Sequence, residues 1–156
     1  MLWRFLWNVR KKNQREYYSG KKKRHTLKTQ IIATEKDLKI ICLEFATGRC
    51  HDFKLFKNTT KIHPDINVKA DSGYQGILKL HVNSNTPYKG SKKKPLTELQ
   101  KLYNHLLSKR RIFIEHVNGH LKRFKIISTR YRNKRKKFKL RMNLIAGIYN
   151  YELNTN

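Results

Sequence analysis

Acidic residues are scarce in this chain of 156 residues, which contains 10 Asp and Glu against 37 Lys and Arg. The resulting net charge of +27 is far larger than solubility requires, and its self-repulsion calls for a polyanion or for counterions. Nucleic acid is therefore the expected partner. Charge alone does not distinguish a DNA enzyme from a ribosome-associated protein or another basic protein.

Cysteine is also rare, since Cys42 and Cys50 are the only two. They form no CxxC pair, which excludes a disulfide framework, and the spacing of Cys50, His51 and His63 fits no standard zinc finger. No zinc site is predicted. No apolar run approaches the roughly 20 residues that span a membrane. The opening MLWRFLWNVRKK differs from a signal peptide, because its apolar run is short, its charges follow that run, and it has no small-residue cleavage site. We expect a cytoplasmic, nucleoid-associated protein without membrane contact.

The first half of the chain predicts mostly strands. Residues 25–46 indicate a β-hairpin whose two strands are joined by a polar turn at residues 35–37. The segment HDFKLFKNT predicts a short helix, and INVKA predicts a third strand between Pro64 and Gly73. Residues 81–95 predict a loop rich in Pro, Gly, Ser, Asn and Lys.

The second half predicts two helices. Thr97 and Gln100 have the spacing of a capping box, at the start of a long helix over residues 97–125. Its apolar residues recur mostly at steps of three or four: Leu99, Leu102, Tyr103, Leu106, Phe113, Val117, Leu121 and Phe124. After a basic connector, a last helix carries one stripe of Phe138, Met142, Ile145 and Tyr149. The predicted class is α/β with a small mixed sheet.

Asp71, in the segment ADSGYQG, directly follows the third predicted strand. In open α/β sheets ligands bind at the carboxyl ends of strands, so this position makes Asp71 a candidate site residue. The alternative is that Asp71 only opens a turn, as Asp before Ser and Gly often does.

The long predicted helix carries a second candidate carboxylate, Glu115. Spacings of three and four place it on one polar face, turned away from Phe113 and Val117, together with Ser108, Arg111, Asn118 and Lys122. The alternative is a surface ion pair between Arg111 and Glu115, worth a few tenths of a kcal/mol.

The ordered set ADSGYQG and then RIFIEHVNGHLK closely resembles the bacterial insertion-sequence transposases of the DDE type. Their signature on this helix is Tyr, Arg, Glu and Lys, and here Arg111, Glu115 and Lys122 fit its last three positions. Ser108 stands where the signature has Tyr. Three further segments are similar to the same family: YYSGKKKRHTLKTQ, GRCHDFKLF and FKIISTRYRNKRKKFKLRMNLIAGIYNYEL. The resemblance therefore covers about residues 11–153.

This resemblance implies a ribonuclease-H-like fold in which three carboxylates hold two divalent ions, Mg²⁺ or Mn²⁺, for attack on a phosphodiester. Asp71 and Glu115 would be the catalytic metal ligands. Arg111, Asn118 and Lys122 would orient Glu115 or contact DNA phosphates.

The family's first carboxylate, an Asp on the central strand, has no counterpart, because no acid precedes Glu16. Asp52 is the alternative substitute, but in this resemblance it fits the HDF segment, where it would cap a helix. Residues 1–10 are therefore predicted to be a non-homologous opening, and residues 11–156 a partial catalytic domain whose fold is incomplete. One hypothesis is that a frameshift replaced the first central strand of the family. The alternative is that Trp3, Phe5 and Trp7 pack as a genuine replacement strand.

The basic runs predict DNA binding whether or not catalysis survives. The candidate residues are Lys21, Lys22, Lys23, Arg24, Arg130, Arg132, Lys134, Arg135, Lys136 and Lys137, with a further run at residues 92–94. Tyr17, Tyr18, Tyr131 and Phe138 would stack on bases, or would belong to the core.

Together these features predict a truncated DDE transposase that binds DNA but does not cleave it alone. Its partners would be DNA and either a second copy or an intact transposase. The alternatives are a basic nucleic-acid-binding protein without metal chemistry and an inert product that hardly folds.

Overall fold

The computed structural model describes residues 2–6, 14–20, 23–59, 61–129, 131 and 135–155, with the side chains of residues 2–6, Gln14 and Arg135 excepted. The strands are β1 (Leu2–Leu6), β2 (Tyr18–Ser19), β3 (Arg24–Ala33), β4 (Ile40–Thr47), β5 (Val68–Lys69) and β6 (Ser84–Asn85). The helices are α1 (Gln14–Tyr17), α2 (Asp52–Thr59), α3 (Glu98–Leu121), α4 (Lys125–Ser128) and α5 (Phe138–Thr155).

Strand β3 is the centre of the main sheet, because β1, β2 and β4 all pair with it in the antiparallel sense. The β3–β4 pairing confirms the predicted hairpin, and the turn lies at residues 35–37 as expected. Residues 26–31 of β3 are all buried, which is typical of a strand with neighbours on both edges. A mixed sheet was predicted, but the described strand pairs of the main sheet are all antiparallel. The parallel pairing found in the described part of the chain is that of the two-residue strands β5 and β6, which form a separate ladder.

The opening of the chain contributes strand β1, whose register with β3 runs from Leu2 opposite Gln30 to Leu6 opposite Thr26. Residues 2–6 therefore form a strand beside β3, in the part of the chain for which a replacement strand was one of the two alternatives. Trp7 and the other residues of positions 7–13 lie outside the described part of the chain. The frameshift hypothesis concerns the gene, and it stays a prediction.

Helix α3 begins with the predicted capping box: the Thr97 side chain accepts a hydrogen bond from the Gln100 N–H, and the Gln100 side chain accepts one from Thr97 N. Its predicted apolar stripe is wrong over the first half of the helix. There Leu99, Leu102 and Leu106 are exposed, and Phe113, in the second half, is exposed as well. The reason is length: a helix of 24 residues extends about 36 Å, and only its second half packs on the main core.

The first half of α3 instead contacts the loop after β6. The Tyr103 ring packs edge-on against Tyr88 at 5.2 Å, and the Asn104 amide bonds the backbone N–H and C=O of Tyr88. These contacts order part of the loop that the sequence predicts over residues 81–95.

Helix α5 confirms its predicted stripe, because Phe138, Met142, Ile145 and Tyr149 are all buried in the main core. A polar contact at its far end fixes it to the sheet: the Asn150 amide donates to Ile40 O at 2.8 Å and accepts from Ile40 N at 2.9 Å. Such a side chain satisfies both backbone groups of one strand residue, which makes it part of the fold.

A second, smaller core lies under Asp71 and contains Phe56, Ala70, Tyr74 and Ile77. Phe56 comes from α2, and the other three come from the segment that follows β5. This cluster therefore holds the 3-10 turn Ser72–Tyr74 against α2, and Asp71 with it.

Candidate functional site

Asp71 lies two residues after β5 and caps the 3-10 turn Ser72–Tyr74. Its Oδ1 accepts a hydrogen bond from Ser72 N at 2.6 Å, and 41% of its side chain is exposed. The two predicted features, the end of a strand and the opening of a turn, are thus both present. The carboxylate keeps access to solvent while one of its oxygens stabilises the backbone.

Arg111 of α3 faces this carboxylate, with Nη1 3.2 Å from Asp71 Oδ1. The predicted alternative, a surface pair between Arg111 and Glu115, is therefore replaced by an ion pair between two separate elements. Glu115 lies one helical turn further on, about 6 Å along the axis, and is exposed. Within the described residues Glu115 has no ion-pair partner. The fold thus brings Asp71, Arg111 and Glu115 to one region.

The predicted polar face of α3 is rotated in the structure. Asn118 is only 2% exposed and lies inward with Val117 and Leu121, whereas Lys122 is exposed at the end of the helix. The inward face contains positions 107, 111, 114, 118 and 121, so Arg111 also lies on its border. The expected solvent-facing position of Asn118 is therefore wrong, and a DNA contact by its amide would require the helix to move.

A buried ion pair near Asp71 was missed by the sequence analysis. Lys28, in the centre of β3, is 2% exposed, and its Nζ lies 2.6 Å from Asp52 Oδ1 at the start of α2. The same ammonium also donates to Cys50 O. A lysine in the middle of the otherwise buried strand HTLKTQIIAT is a signal for such a pair, because a buried ammonium requires a carboxylate or carbonyl partner.

The same turn that follows Asp71 also contacts Asp52. A Cβ placed on Gly73 would lie 3.3 Å from Asp52 Oδ2, and the Tyr74 hydroxyl donates to Gln30 Oε1 at 3.3 Å. Burial, reinforced by the negative charges of Asp52 and Asp71, raises the pKa of Tyr74 far above its usual range. Tyr74 therefore stays protonated, and the turn is fixed to both β3 and α2.

The arrangement does not fit a two-metal centre of the kind that the resemblance implies. Oδ1 of Asp71 already accepts from Ser72 N and faces Arg111, and Asp52 is neutralised by Lys28. All Asp, Glu, His and Cys side chains of the chain lie within the described residues. Among those residues no group of three of these types could hold a metal ion.

The basic candidates are only partly within the described residues. Lys23, Arg24, Lys136 and Lys137 are exposed, as is the run at 92–94. The side chains of Lys21, Lys22, Arg130, Arg132, Lys134 and Arg135 lie outside the described part. Three of the four aromatic candidates belong to the core, because Tyr17, Tyr131 and Phe138 are buried. Tyr18 is 43% exposed.

Two comparisons with known proteins find sequences similar to this chain. A family model described as DDE superfamily endonuclease matches residues 7–150. The chain is also 53% identical over 144 residues to a protein of Microchaete diplosiphon named "Probable transposase for insertion sequence element IS702". This match covers 92% of the chain and 52% of that protein, so the chain spans about half the length of this relative.

No solved structure matches the chain significantly. In the part of the chain that the structure describes, no helix has the length and apolar character needed to cross a membrane. The family match extends over nearly the whole chain and includes the segments that carry Asp71, Arg111, Glu115 and Lys122. The chain therefore belongs to the DDE superfamily of endonucleases, and it is similar to the insertion-sequence transposases within it.

Proposed function

We propose that this chain acts as a DNA-binding part of a DDE transposase and does not cleave DNA by itself. Family membership supports a role on DNA, and the net charge of +27 supplies the long-range attraction to phosphates. The exposed residues Lys23, Arg24, Lys136 and Lys137 are the described side chains that we propose as phosphate contacts.

One observation carries the proposal that cleavage does not occur: Arg111 occupies the side of Asp71 that faces α3, where the family resemblance expects a metal ion. Glu115 is the other carboxylate of the proposed catalytic set, and Asp52 is already paired with Lys28. Two carboxylates with a guanidinium beside one of them attract a divalent cation weakly, because the guanidinium charge opposes it. Mg²⁺ or Mn²⁺ is accordingly not proposed as a resident ion of this arrangement.

We expect no metal-dependent nicking of supercoiled plasmid by the purified chain. The measurement is the fraction of open circular DNA after incubation with Mg²⁺ or Mn²⁺, compared with EDTA, at a protein concentration that retards the plasmid in a gel. The variants Asp71→Asn and Glu115→Gln should give the same background as the wild type. Nicking that requires metal and that both substitutions abolish would contradict the proposal.

A second candidate function is that of a basic nucleic-acid-binding protein in which Asp71 has only a structural role. The hydrogen bond from Ser72 N and the ion pair with Arg111 favour it, because both are contacts that stabilise a turn. Arg111→Gln separates the two candidates, since it removes the cation beside Asp71 and retains a polar side chain.

If the site is derived from a metal centre, Arg111→Gln should raise the affinity for Mn²⁺ about tenfold or more, because a unit charge close to the carboxylate is removed. Binding is measured by the loss of the free Mn²⁺ signal in electron paramagnetic resonance. Arg110→Gln is the matched control, because Arg110 is the exposed neighbour on the same helix. Adding Asp71→Asn should remove the gain. Equal, negligible Mn²⁺ binding by both variants would favour the second candidate.

A further inference from the structure

A surface pocket of about 550 Å³ lies at the edge of the main sheet, and its lining does not include Asp71, Arg111 or Glu115. It is lined by Arg15, Tyr18, Gly20, His25 and Arg49, which come from α1, β2, the turn after β2, the start of β3 and the turn after β4. Its volume falls within the range of pockets that hold small organic ligands.

Strand pairing and a backbone hydrogen bond hold the backbone around the pocket, so the pocket side chains are not needed for this. Tyr18 stands opposite His25 in the β2–β3 ladder, and Arg49 N donates to Glu16 O at 3.1 Å. Segments that are distant in sequence therefore meet at a fixed place, which allows Arg15 and Arg49 to act on the same ligand.

The two adjacent tyrosines point in opposite directions. Tyr17 is 8% exposed and belongs to the main core, whereas Tyr18 is 43% exposed and contacts the His25 ring edge-on at 5.6 Å. Tyr18 therefore presents an aromatic surface to the pocket that the main core does not use.

We propose that this pocket binds an unpaired nucleotide of DNA, with Arg15 and Arg49 at its phosphates and Tyr18 stacked on its base. Exposed guanidinium groups bind phosphates, and tyrosine rings stack on bases of any sequence. The aromatic surface is what favours a single strand, because in a duplex the base faces are covered by their neighbours. Exposed Lys23 and Arg24 add positive charge at the start of β3. The exposed carboxylate of Glu16 is the nearest acid in sequence and does not line the pocket.

This inference rests on the proposed binding of DNA, and one experiment separates the two. Fluorescence anisotropy would measure the affinity of the whole chain for a short single strand and for the duplex of the same sequence. Tyr18→Ala should weaken single-strand binding about tenfold, as expected for the loss of one stacked base, and change duplex binding less than about twofold. Arg49→Gln should weaken single-strand binding, and Tyr18→Phe should retain it.

Tyr151→Ala is the matched control, because Tyr151 is 70% exposed on α5 and lies outside the pocket. A strand with 2-aminopurine at one position gives a readout on the wild type alone, since stacking on Tyr18 should quench its fluorescence. Two results would overturn the pocket proposal only, provided that the wild type binds the duplex. One is a 2-aminopurine strand whose fluorescence the wild type does not quench, and the other is an equal loss of single-strand affinity for Tyr18→Ala and Tyr151→Ala. No binding of either DNA by the wild type would overturn the proposed function as well.

Discussion

The affinity of this chain for duplex DNA should fall about 10⁴-fold when the salt concentration rises from 50 to 200 mM. If about eight phosphates are neutralised, the release of their counterions gives a log-log slope near −7, and a fourfold rise in salt then has this effect. The net charge of +27 comes largely from side chains without an acidic partner, since only 10 acids are present. The measurement is a series of binding isotherms in fluorescence anisotropy at increasing concentrations of monovalent salt.

The same log-log salt slope also tests which residues contact phosphates. Replacing both Lys136 and Lys137 by Gln should make the slope less steep by about two, because each lost phosphate contact removes about one. Lys101→Gln is the control, since the Lys101 ammonium lies 2.7 Å from Glu98 and is already balanced by it. A slope near zero for the wild type would refute DNA binding by charge. An equal change for Lys101→Gln would refute the assignment to Lys136 and Lys137.

Replacing Asp52 by Asn should lower the free energy of unfolding by about 3 kcal/mol, the lower end of the range for breaking one half of a buried ion pair. The physical reason is that the ammonium of Lys28 is buried, with 3% of its side chain exposed, and would lose the carboxylate that neutralises it. The Cys50 carbonyl would remain as an acceptor but carries no full charge. The midpoint of thermal unfolding, followed by circular dichroism, should fall by roughly 10 °C.

Two further variants test the cause of this effect. Asp65→Asn is the surface control, because the Asp65 side chain is 88% exposed, and it should change the stability by less than about 0.5 kcal/mol. In the double variant Lys28→Met with Asp52→Asn the buried charge is absent, so much of the lost stability should return. Equal melting of Asp52→Asn and Asp65→Asn would show that the pair contributes little. A double variant no more stable than Asp52→Asn would show that charge is not the cause.

The local pattern of the sequence was sufficient for most elements. The β3–β4 hairpin, the capping box at Thr97 and the stripe of α5 depend on residues within a few positions of one another, and all three are confirmed. The position of Asp71 was also predicted, because a carboxylate after a short strand and before Ser and Gly opens a turn through contacts with its own neighbours in sequence.

The errors have a common origin in contacts between distant segments. Whether Leu99 or Leu121 is buried depends on how far α3 extends beyond the sheet, and the apolar period is the same in both halves. Likewise, Arg111 has an acid four residues away in sequence but pairs with Asp71, 40 residues before it. Helical spacing permits the first pair, and packing of α3 against the turn selects the second.

The sequence by itself determined the basic character of the chain, its family and the two candidate carboxylates Asp71 and Glu115. Composition and ordered motifs are properties of the chain that do not depend on its folded shape. Only the tertiary structure decided that Arg111 stands beside Asp71, that Lys28 is buried against Asp52, and that Tyr18, unlike Tyr17, faces a pocket. Which charged groups form ion pairs and which side chains are buried depends on the distant segments that the packing of strands and helices brings into contact.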